Sequence, residues 1–273
     1  MQEQFHISNE ETIMPTESHL AMQVGRYFFS FCICDAEKRR LLQLKRYRFS
    51  ALSLRHLDSI FNENAVLNGH FQSITTALDF GFSSLLPASL HVSETAPLMY
   101  LENADQQDHV ITEPVPGHDA SNRYTVPPDI LTWIVHHFPS SSYYHTHTIQ
   151  IAAAATAGEN GLIRVDFSDN VFTVAVFKNE NLLLAKTFRY STSTDAVFYL
   201  LKICEVFGLK QESVSVEISG LVDASSKLYR EVYDYFLNTS FKAADWLDDN
   251  SEVPSHYFTA LNELVLCESF QEV

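Results

Sequence analysis

Glycine is scarce in this chain, with eight among 273 residues. Loops that cradle a phosphate or an oxyanion nearly always need glycine, because its missing side chain lets backbone N–H groups approach the ligand. The sequence contains no P-loop, no G-x-G-x-x-G, no G-x-S-x-G and no H-E-x-x-H pattern. These absences argue against a standard nucleotide-binding enzyme and against a nucleophilic hydrolase.

Basic residues are also few. Lysine and arginine number 18 against 34 acidic residues, which gives a formal net charge of −16. A field of this sign repels phosphate backbones, so nucleic acid is not an expected partner. The one basic stretch, at 37–48, is interpreted as solvated side chains on a turn and on one face of a strand.

Long apolar runs and paired cysteines are missing as well. No stretch approaches 18 consecutive apolar residues, and the N-terminus shows no basic segment followed by an apolar one. The four cysteines lie in apolar segments without C-x-x-C spacing, as buried thiols of a reducing compartment would. We therefore expect a cytoplasmic protein without membrane insertion.

One pattern of apolar and basic residues occurs twice. Residues 23–50 and 164–191 align without a gap at a constant offset of 141 positions. The identical pairs are Val24 and Val165, Phe31 and Phe172, Leu41 and Leu182, Leu42 and Leu183, Lys45 and Lys186, Arg48 and Arg189, and Ser50 and Ser191. The repeat and the chain length together predict two domains, at 1–158 and 159–273.

The second half has the clearer pattern of secondary structure. Short β-branched and aromatic runs predict strands, and apolar positions at helical spacing after Ser/Thr caps predict helices. The predicted strands are 161–167, 170–177, 181–191, 213–220 and 241–246, and the predicted helices are 191–209, 225–238 and 254–270. The order β-β-β-α-β-α-β-α is that of a ribonuclease-H-like unit with a mixed five-stranded sheet.

The first half opens in the same way and then departs from the pattern. Its predicted strands are 19–25, 27–34, 41–50, 71–80, 82–87 and 142–150, its helices are 51–69, 88–94 and 127–139, and residues 102–123 are predicted as a polar loop. The predicted fold class is therefore α/β, with two ribonuclease-H-like units in tandem, each containing a mixed five-stranded sheet and helices.

Three segments carry a resemblance to a known family. The hairpin "VDFSDNVFTVAVF" (165–177), the passage "FRYSTSTDAVFYLLK" (188–202) and the strand "VSVEISG" (214–220) resemble uncharacterised bacterial proteins of a domain-of-unknown-function family with a divergent actin-like ATPase fold. This fold is shared with actin, sugar kinases and heat-shock chaperones. The resemblance implies a nucleotide cleft between the two units.

The resemblance also implies which residues would line that cleft. Proteins of the superfamily bind phosphates with one Asp-x-Gly hairpin turn in each unit. In the second unit Asp166 keeps the leading acid and Asp169 adds another, but Ser168 and Asn170 stand where glycines belong.

The other implied positions are equally degenerate. In the first unit Gln23 replaces the acid and Gly25 is retained, while of the glycine pair in the adenosine pocket only Gly220 remains, preceded by Ser219. We therefore predict no catalytic residues and no cofactor, with Mg-ATP in this degenerate cleft as the alternative.

Four histidines form the only other cluster of note. His145 and His147 are two positions apart and would share one face of a strand, where two imidazoles and a carboxylate could bind zinc. His136 and His137 are neighbours on a helix and point in different directions. The four meet no spacing rule together, so no metal site is predicted.

Two functions remain open. The favoured one is a non-catalytic interaction module that binds another protein. The expected binding region is the surface around the aromatic helix at 229–238, which includes Tyr233 and Tyr235, together with the inter-unit cleft. The alternative is a divergent ATP-binding or phosphoryl-transfer protein in which Asp166 or Asp169 would hold Mg²⁺ and Ser219 and Gly220 would lie near adenine. The sequence leans against an enzyme.

Overall fold

The chain forms two compact units. The computed structural model describes residues 1–9, 13–38, 40–81, 83–87, 108–154, 156–246 and 253–267. Met1–Ile149 and Leu264–Val273 belong to a first unit, and Gln150–Glu263 form a second unit. The sequence-based division into 1–158 and 159–273 was drawn from the repeat and stays a prediction.

The first unit is built around a six-stranded mixed sheet. Its elements are β1 (Gln2–Ser8), β2 (Ser18–Gly25), β3 (Phe28–Asp35), β4 (Leu41–Arg48), α1 (Leu54–Glu63), β5 (Ser73–Asp79), β6 (Ser83–Pro87), β7 (His109–Pro114), β8 (Ala120–Val126), α2 (Pro128–His137), β9 (Ser141–His145) and α3 (Thr146–Ala152), the last of which runs into the second unit. The large sheet has the order β1-β4-β3-β2-β5-β9, and β6-β8-β7 form a separate antiparallel sheet.

The second unit contains a five-stranded mixed sheet. Its elements are β10 (Leu162–Phe167), β11 (Val171–Lys178), β12 (Asn181–Arg189), α4 (Ser193–Phe207), β13 (Ser215–Gly220), α5 (Lys227–Tyr235), β14 (Asn238–Phe241) and α6 (Thr259–Leu266), which continues into the first unit. The strand order is β12-β11-β10-β13-β14, with β13 parallel to β10 and β14 parallel to β13.

The two sheets share one topology. In the second unit the third, second, first, fourth and fifth strands lie side by side, and β4-β3-β2-β5-β9 repeat this order in the first unit. The mixed sheets confirm the predicted α/β class. The first sheet gains a sixth strand, β1, which sequence analysis did not anticipate because the acidic N-terminus offers only Phe5 and Ile7 as apolar strand residues.

The polar loop predicted at 102–123 is wrong where the structure describes it. Residues 109–114 form β7 and residues 120–126 form β8, joined by a turn in which Gly117 has φ +75°. The prolines suggested a loop, yet Pro114 is the last residue of an edge strand, where a missing N–H is tolerated. The helix predicted at 88–94 lies outside the described residues.

Other predicted elements also have different bounds. The helix at 51–69 divides into α1 and a 3₁₀ turn at Ala65–Asn68, because Asn64 leaves the helical conformation and its side-chain amide donates to Ile60 O at 2.7 Å. The strand at 142–150 ends at His145, where α3 begins. The last strand of the second sheet is Asn238–Phe241 rather than 241–246.

The helices of the second unit follow local sequence signals. Thr192 caps α4: its hydroxyl accepts from Asp195 N, and the Asp195 carboxylate accepts from Thr192 N. The helix ends at Gly208 in the left-handed conformation. Across the described ranges, no helix combines the length and the apolar composition that crossing a bilayer requires.

Candidate functional site

The second-unit turn joins β10 to β11 and carries two of the predicted site residues, Ser168 and Asp169, together with Asn170. Ser168 N donates to Val171 O at 2.9 Å, which leaves Asp169 and Asn170 as the exposed turn residues. Tyr190 closes the turn from the side: its hydroxyl donates to Ser168 O at 2.9 Å, and its N–H donates to Asn170 O at 3.0 Å. The turn is therefore held in shape by hydrogen bonds within the unit.

Asp166 and Ser219 are brought together. They are direct partners across the parallel pair β10 and β13, and Ser219 Oγ donates to Asp166 Oδ2 at 2.7 Å. Asp166 is half-buried and Ser219 is 8% exposed. The carboxylate that would lead a phosphate-binding turn thus accepts a hydrogen bond from the residue assigned to the adenosine pocket.

Gly220 has a structural reason to be glycine. Its φ is +83°, and a Cβ placed there would lie 2.1 Å from Phe167 O and 2.7 Å from Phe167 N. No side chain fits against the β10 backbone at this distance. The requirement arises from strand packing and needs no nucleotide to explain it.

The first-unit turn carries Gln23 and Gly25. Gln23 lies on β2 between Ser30 of β3 and Ala77 of β5 and is 8% exposed. A Cβ at Gly25 would come within 2.5 Å of the Phe28 ring and 3.0 Å of Asp79 O. Packing again accounts for the retained glycine.

The pairing registers show which turn residues correspond between the units. The ladder Val24 to Phe29 leaves Arg26 and Tyr27 in the first turn, just as Asp169 and Asn170 occupy the second. Because both turns contain two residues, Gln23 is structurally equivalent to Asp166, and Gly25 is structurally equivalent to Ser168. This is the register of the turn motif and not that of the ungapped repeat.

The ungapped repeat holds only from the third strand onward. Six residues separate Cys34 from its partner Leu41, whereas four separate Phe177 from its partner Leu182. The longer first-unit loop shifts the offset by these two positions. The matches Val24/Val165 and Phe31/Phe172 are therefore not structural equivalents, while Lys45/Lys186 and Arg48/Arg189 are.

A charged network that sequence analysis missed lies beside Asp166 on β10. Arg164 is 3% exposed, and its guanidinium group donates three hydrogen bonds. Nε donates to Glu217 Oε2 at 3.1 Å, and Nη1 donates to the backbone oxygen of Gln150 at 2.6 Å. Nη2 donates to Glu263 Oε1. The pKa of Glu263 is raised to about 7, chiefly by burial. Arg164 lowers this pKa and the Asp166 charge raises it, and both effects are included in that value. Arg164 and Asp166 are two positions apart on β10, so the sequence could show that they share a strand face. It could not show which residues their side chains contact.

The histidine cluster is also different from the prediction. The strand ends at His145 and His147 belongs to α3, so the two do not share a strand face. Their rings still meet, with centroids 4.8 Å apart, because His147 N donates to His145 Nδ1 at 3.0 Å. Within the described ranges, no group of three or more His, Cys, Asp or Glu side chains could hold a metal ion.

Glu113 completes this buried cluster. One carboxylate oxygen accepts from His145 N at 2.8 Å, and the other accepts from the Tyr124 hydroxyl at 3.2 Å. Burial raises the pKa of Glu113 to about 7 and lowers that of His147 to about 4. Burial, with help from the neighbouring His147, also lowers the pKa of His145. The cluster is an interior polar network of the first unit.

Exposed apolar side chains concentrate on two neighbouring helices of the second unit. Five of the ten large hydrophobic side chains that are exposed in the described part of the chain lie on or next to α4 and α5, namely Phe198, Val206, Tyr233, Tyr235 and Leu237, with exposures of 50% to 68%. The helices are in contact, since Thr194 Oγ1 donates to Glu231 Oε2 at 3.4 Å. We call these five residues the α4/α5 surface.

The topology and the two hairpin turns define a protein of the actin-like ATPase fold. A protein of unknown function with this fold from Bacteroides thetaiotaomicron superposes with a TM-score of 0.73 at 17% identity, covering 84% of this chain and 91% of that one. The PilM-PilN type IV pilus biogenesis complex gives a TM-score of 0.65 at 8% identity, with coverages of 93% and 99%.

A third solved structure agrees. The ethanolamine utilization protein EutJ from Carboxydothermus hydrogenoformans gives a TM-score of 0.53 at 10% identity, with coverages of 93% and 90%. At these identities the similarity shows the fold alone. A search of curated protein sequences found no match.

The family follows from the sequence model that matches. Residues 8–239 match the family described as protein of unknown function DUF3822. This match spans most of the 273 residues, and the chain belongs to that family. The predicted resemblance to an uncharacterised family with an actin-like ATPase fold is confirmed.

Proposed function

We propose that this protein is a non-catalytic, cytoplasmic interaction module that binds another protein through the α4/α5 surface. The observation that carries the proposal is the concentration of exposed aromatic and aliphatic side chains on two adjacent helices. Exposed aromatic and aliphatic side chains that gather on neighbouring elements are candidates for a binding surface. Tyrosine is also enriched at interface centres, because its ring offers large contact area and its hydroxyl remains satisfied in water.

The packing of α5 separates its two faces. Val232 is fully buried and Tyr229 stacks on Phe241 with centroids 4.5 Å apart, so these residues attach the helix to the sheet. Tyr233 and Tyr235 are 53% and 50% exposed. About half of each of these two side chains is therefore open to solvent and available to a partner.

The phosphate-binding turns support a non-catalytic role. Ser168 and Asn170 replace the glycines, and the carbonyl groups of both accept hydrogen bonds from Tyr190. Cβ atoms in such a turn occupy the path by which a phosphate would reach the backbone N–H groups. The alternative of an ATP-binding protein retains Asp166 as a half-buried acid, and we keep it as the second candidate.

Two further observations bear on partner and location. One protein of the same fold is a component of a PilM-PilN complex, so the fold is compatible with a protein-binding role. All four cysteines are buried thiols, which suits a reducing compartment.

The test is a capture experiment with matched tyrosine variants. Tagged wild-type protein, the double variant Tyr233→Ala with Tyr235→Ala, and the control Tyr27→Ala are each used to recover proteins from an extract of the native cells. Tyr27 is an exposed tyrosine of the first unit. We expect a protein that is retained by the wild type and by Tyr27→Ala and lost with the double variant.

Folding is checked by thermal unfolding, since Tyr233 also contacts Tyr229 with ring centroids 6.1 Å apart. Recovery of the same proteins by a folded double variant would show that the α4/α5 surface is not the binding site.

A further inference from the structure

Three arginines in the described part of the chain are at most 7% exposed, and they differ in what surrounds the guanidinium group. Arg164 donates to two carboxylates and to a backbone oxygen. Arg46 lies 4.6 Å from the centre of the Phe28 ring and donates two hydrogen bonds to neighbouring side chains. Arg123, on β8, donates one hydrogen bond among the described residues, from Nε to Thr112 Oγ1 at 3.2 Å.

The charge of Arg123 is not compensated by the described residues. Its Nη1 is buried and donates to no acceptor among them, and none of their carboxylates forms an ion pair with it. An arginine keeps its charge in proteins, and burying a charge without a counter-charge is costly. An anion is therefore the partner that this side chain lacks within the described part of the chain.

Glu113 does not supply that anion, because it belongs to the network on the other face of the small sheet. The neighbours of Arg123 on β8 both join that network: Asn122 Nδ2 donates to Thr148 Oγ1 at 3.1 Å, and the Tyr124 hydroxyl donates to Glu113 at 3.2 Å. Successive side chains of a strand point to opposite faces. Arg123 therefore points away from the interior network.

Hydroxyl residues flank Arg123 on its own face. Ser84 of β6 and Thr112 of β7 are its direct partners in the two strand pairs. Because Thr112 Oγ1 accepts from Arg123 Nε, the hydroxyl proton of Thr112 is left to donate to a further group. Thr112 is also exposed, so the site borders solvent at β7.

From this arrangement we infer that Arg123 and Thr112 bind a small oxyanion, which is the phosphate or carboxylate group of a solute. The planar fork of a guanidinium matches two oxygens of such a group, and the Thr112 hydroxyl adds a third donor. The net charge of −16 repels anions at long range, so weak binding is expected. The inference concerns the first unit and does not depend on the α4/α5 surface.

Ordered water is the competing explanation for the unpartnered N–H groups. A buried water can accept from Nη1, and such waters are common in protein interiors. Water does not neutralise a charge, however. A site that holds only water would respond to ionic strength and not to the identity or concentration of an oxyanion.

The experiment uses the full chain and two simple anions. Inorganic phosphate and acetate are titrated separately at constant ionic strength set with sodium chloride, and the Arg123 Nε–Hε signal is followed by NMR. We expect this signal to shift and to saturate with at least one of the two anions. Saturation by one alone identifies the group that the site takes, and saturation by both means that it takes either.

Stability gives an independent readout. At about ten times its Kd, the anion should lower the unfolding equilibrium constant about tenfold by mass action. Arg123→Met should abolish this effect, whereas Arg189→Met, the same change at an exposed arginine of β12, should keep it. Thr112→Val, at an exposed position, should weaken binding about fivefold and tests the site should Arg123→Met not fold.

Any of four results would overturn the inference. The first two are an Arg123 signal that does not shift at decimolar phosphate or acetate and a shift that never saturates. The others are stabilisation by the anion that survives in Arg123→Met and an anion affinity that is unchanged in Thr112→Val.

Discussion

The guanidinium group of Arg164 donates to the carboxylate of Glu263 in the interior of the second unit. The two side chains are 4% and 9% exposed, and Glu217 accepts from the same guanidinium on its other side. Two acidic groups therefore depend on one buried cation. Removing that cation would leave both groups without this partner, and the pKa of Glu263, which Arg164 lowers, would rise further.

The first prediction concerns this network. Arg164→Met should lower the free energy of unfolding by about 3–5 kcal/mol, because each acidic group that loses its buried partner must either remain charged without compensation or take up a proton. Urea unfolding measures the change. The control Lys202→Met removes an exposed pair with Glu205, whose side chains are 54% and 70% exposed, and should cost less than about 1 kcal/mol. Equal losses in the two variants would contradict the structural role of Arg164.

The second prediction concerns Glu113 and pH. Its pKa in the folded protein is about 7, whereas an unfolded glutamate titrates at about 4.3. Between these values the folded chain keeps a proton that the unfolded chain has released. The stability from Glu113 is therefore complete below about pH 4.3 and is lost as the pH rises through about 7.

The variant Glu113→Gln is neutral at every pH and removes this dependence. Relative to the wild type, its free energy of unfolding should rise by about 3 kcal/mol between pH 4 and pH 8. Urea unfolding at several pH values measures this. Glu63→Gln, at an exposed position of α1, serves as the control and should run parallel to the wild type. A Glu113→Gln curve that also runs parallel would show that Glu113 does not titrate as the structure indicates.

The third prediction has the opposite sign and concerns His147. Burial lowers its folded pKa to about 4, below the value of about 6.5 for an unfolded histidine. Its contribution is complete above about pH 6.5 and is lost as the pH falls through about 4. His147→Asn should therefore flatten the acid side of the stability curve, while His70→Asn, at an exposed position, should not. An unchanged acid limb would argue against a buried neutral His147.

The fourth prediction separates two glycines of positive φ. Gly220→Ala should destabilise by more than about 3 kcal/mol, since strain at φ +83° is joined by a Cβ only 2.1 Å from Phe167 O. Gly208→Ala, with φ +59° and nothing within 4 Å of the added Cβ, should cost only about 1–2 kcal/mol. Similar costs, measured by urea unfolding, would mean that the approach of Gly220 to β10 is not as close as described.

The sequence predicted those parts of the fold that rest on local signals. The strands from 19 to 48 and from 162 to 189 follow from β-branched and aromatic runs, and α4 follows from its capping box and its Gly208 stop. β7 was missed because prolines dominate the local signal, although the strand is stabilised by its pairing with β8. Local propensity cannot show such pairing.

The charged clusters could not be predicted for a related reason. Arg164 and Glu263 are 99 positions apart in the chain, and His145 and Glu113 are 32 apart. Only the folded topology brings these partners together, and no spacing rule connects them. Asp166 and Ser219, by contrast, were both selected through the family resemblance, and the register of β10 and β13 places them opposite each other.

The last prediction concerns nucleotide. Mg-ATP should neither raise the melting temperature of the protein nor be hydrolysed, because Gln23, Ser168 and Asn170 stand where the phosphate turns need an acid and glycines, and Tyr190 holds the second turn closed through Ser168 O. The measurement is a thermal shift over a range of ATP concentrations, with phosphate release followed in parallel. Ligand present at tens of times its Kd would stabilise the fold by about 2 kcal/mol, which such a scan resolves. A shift that is lost in Asp166→Ala but kept in Asp234→Ala, which removes an exposed acid from α5, would contradict the prediction. It would assign Asp166 to the metal and favour the ATP-binding alternative over the non-catalytic one.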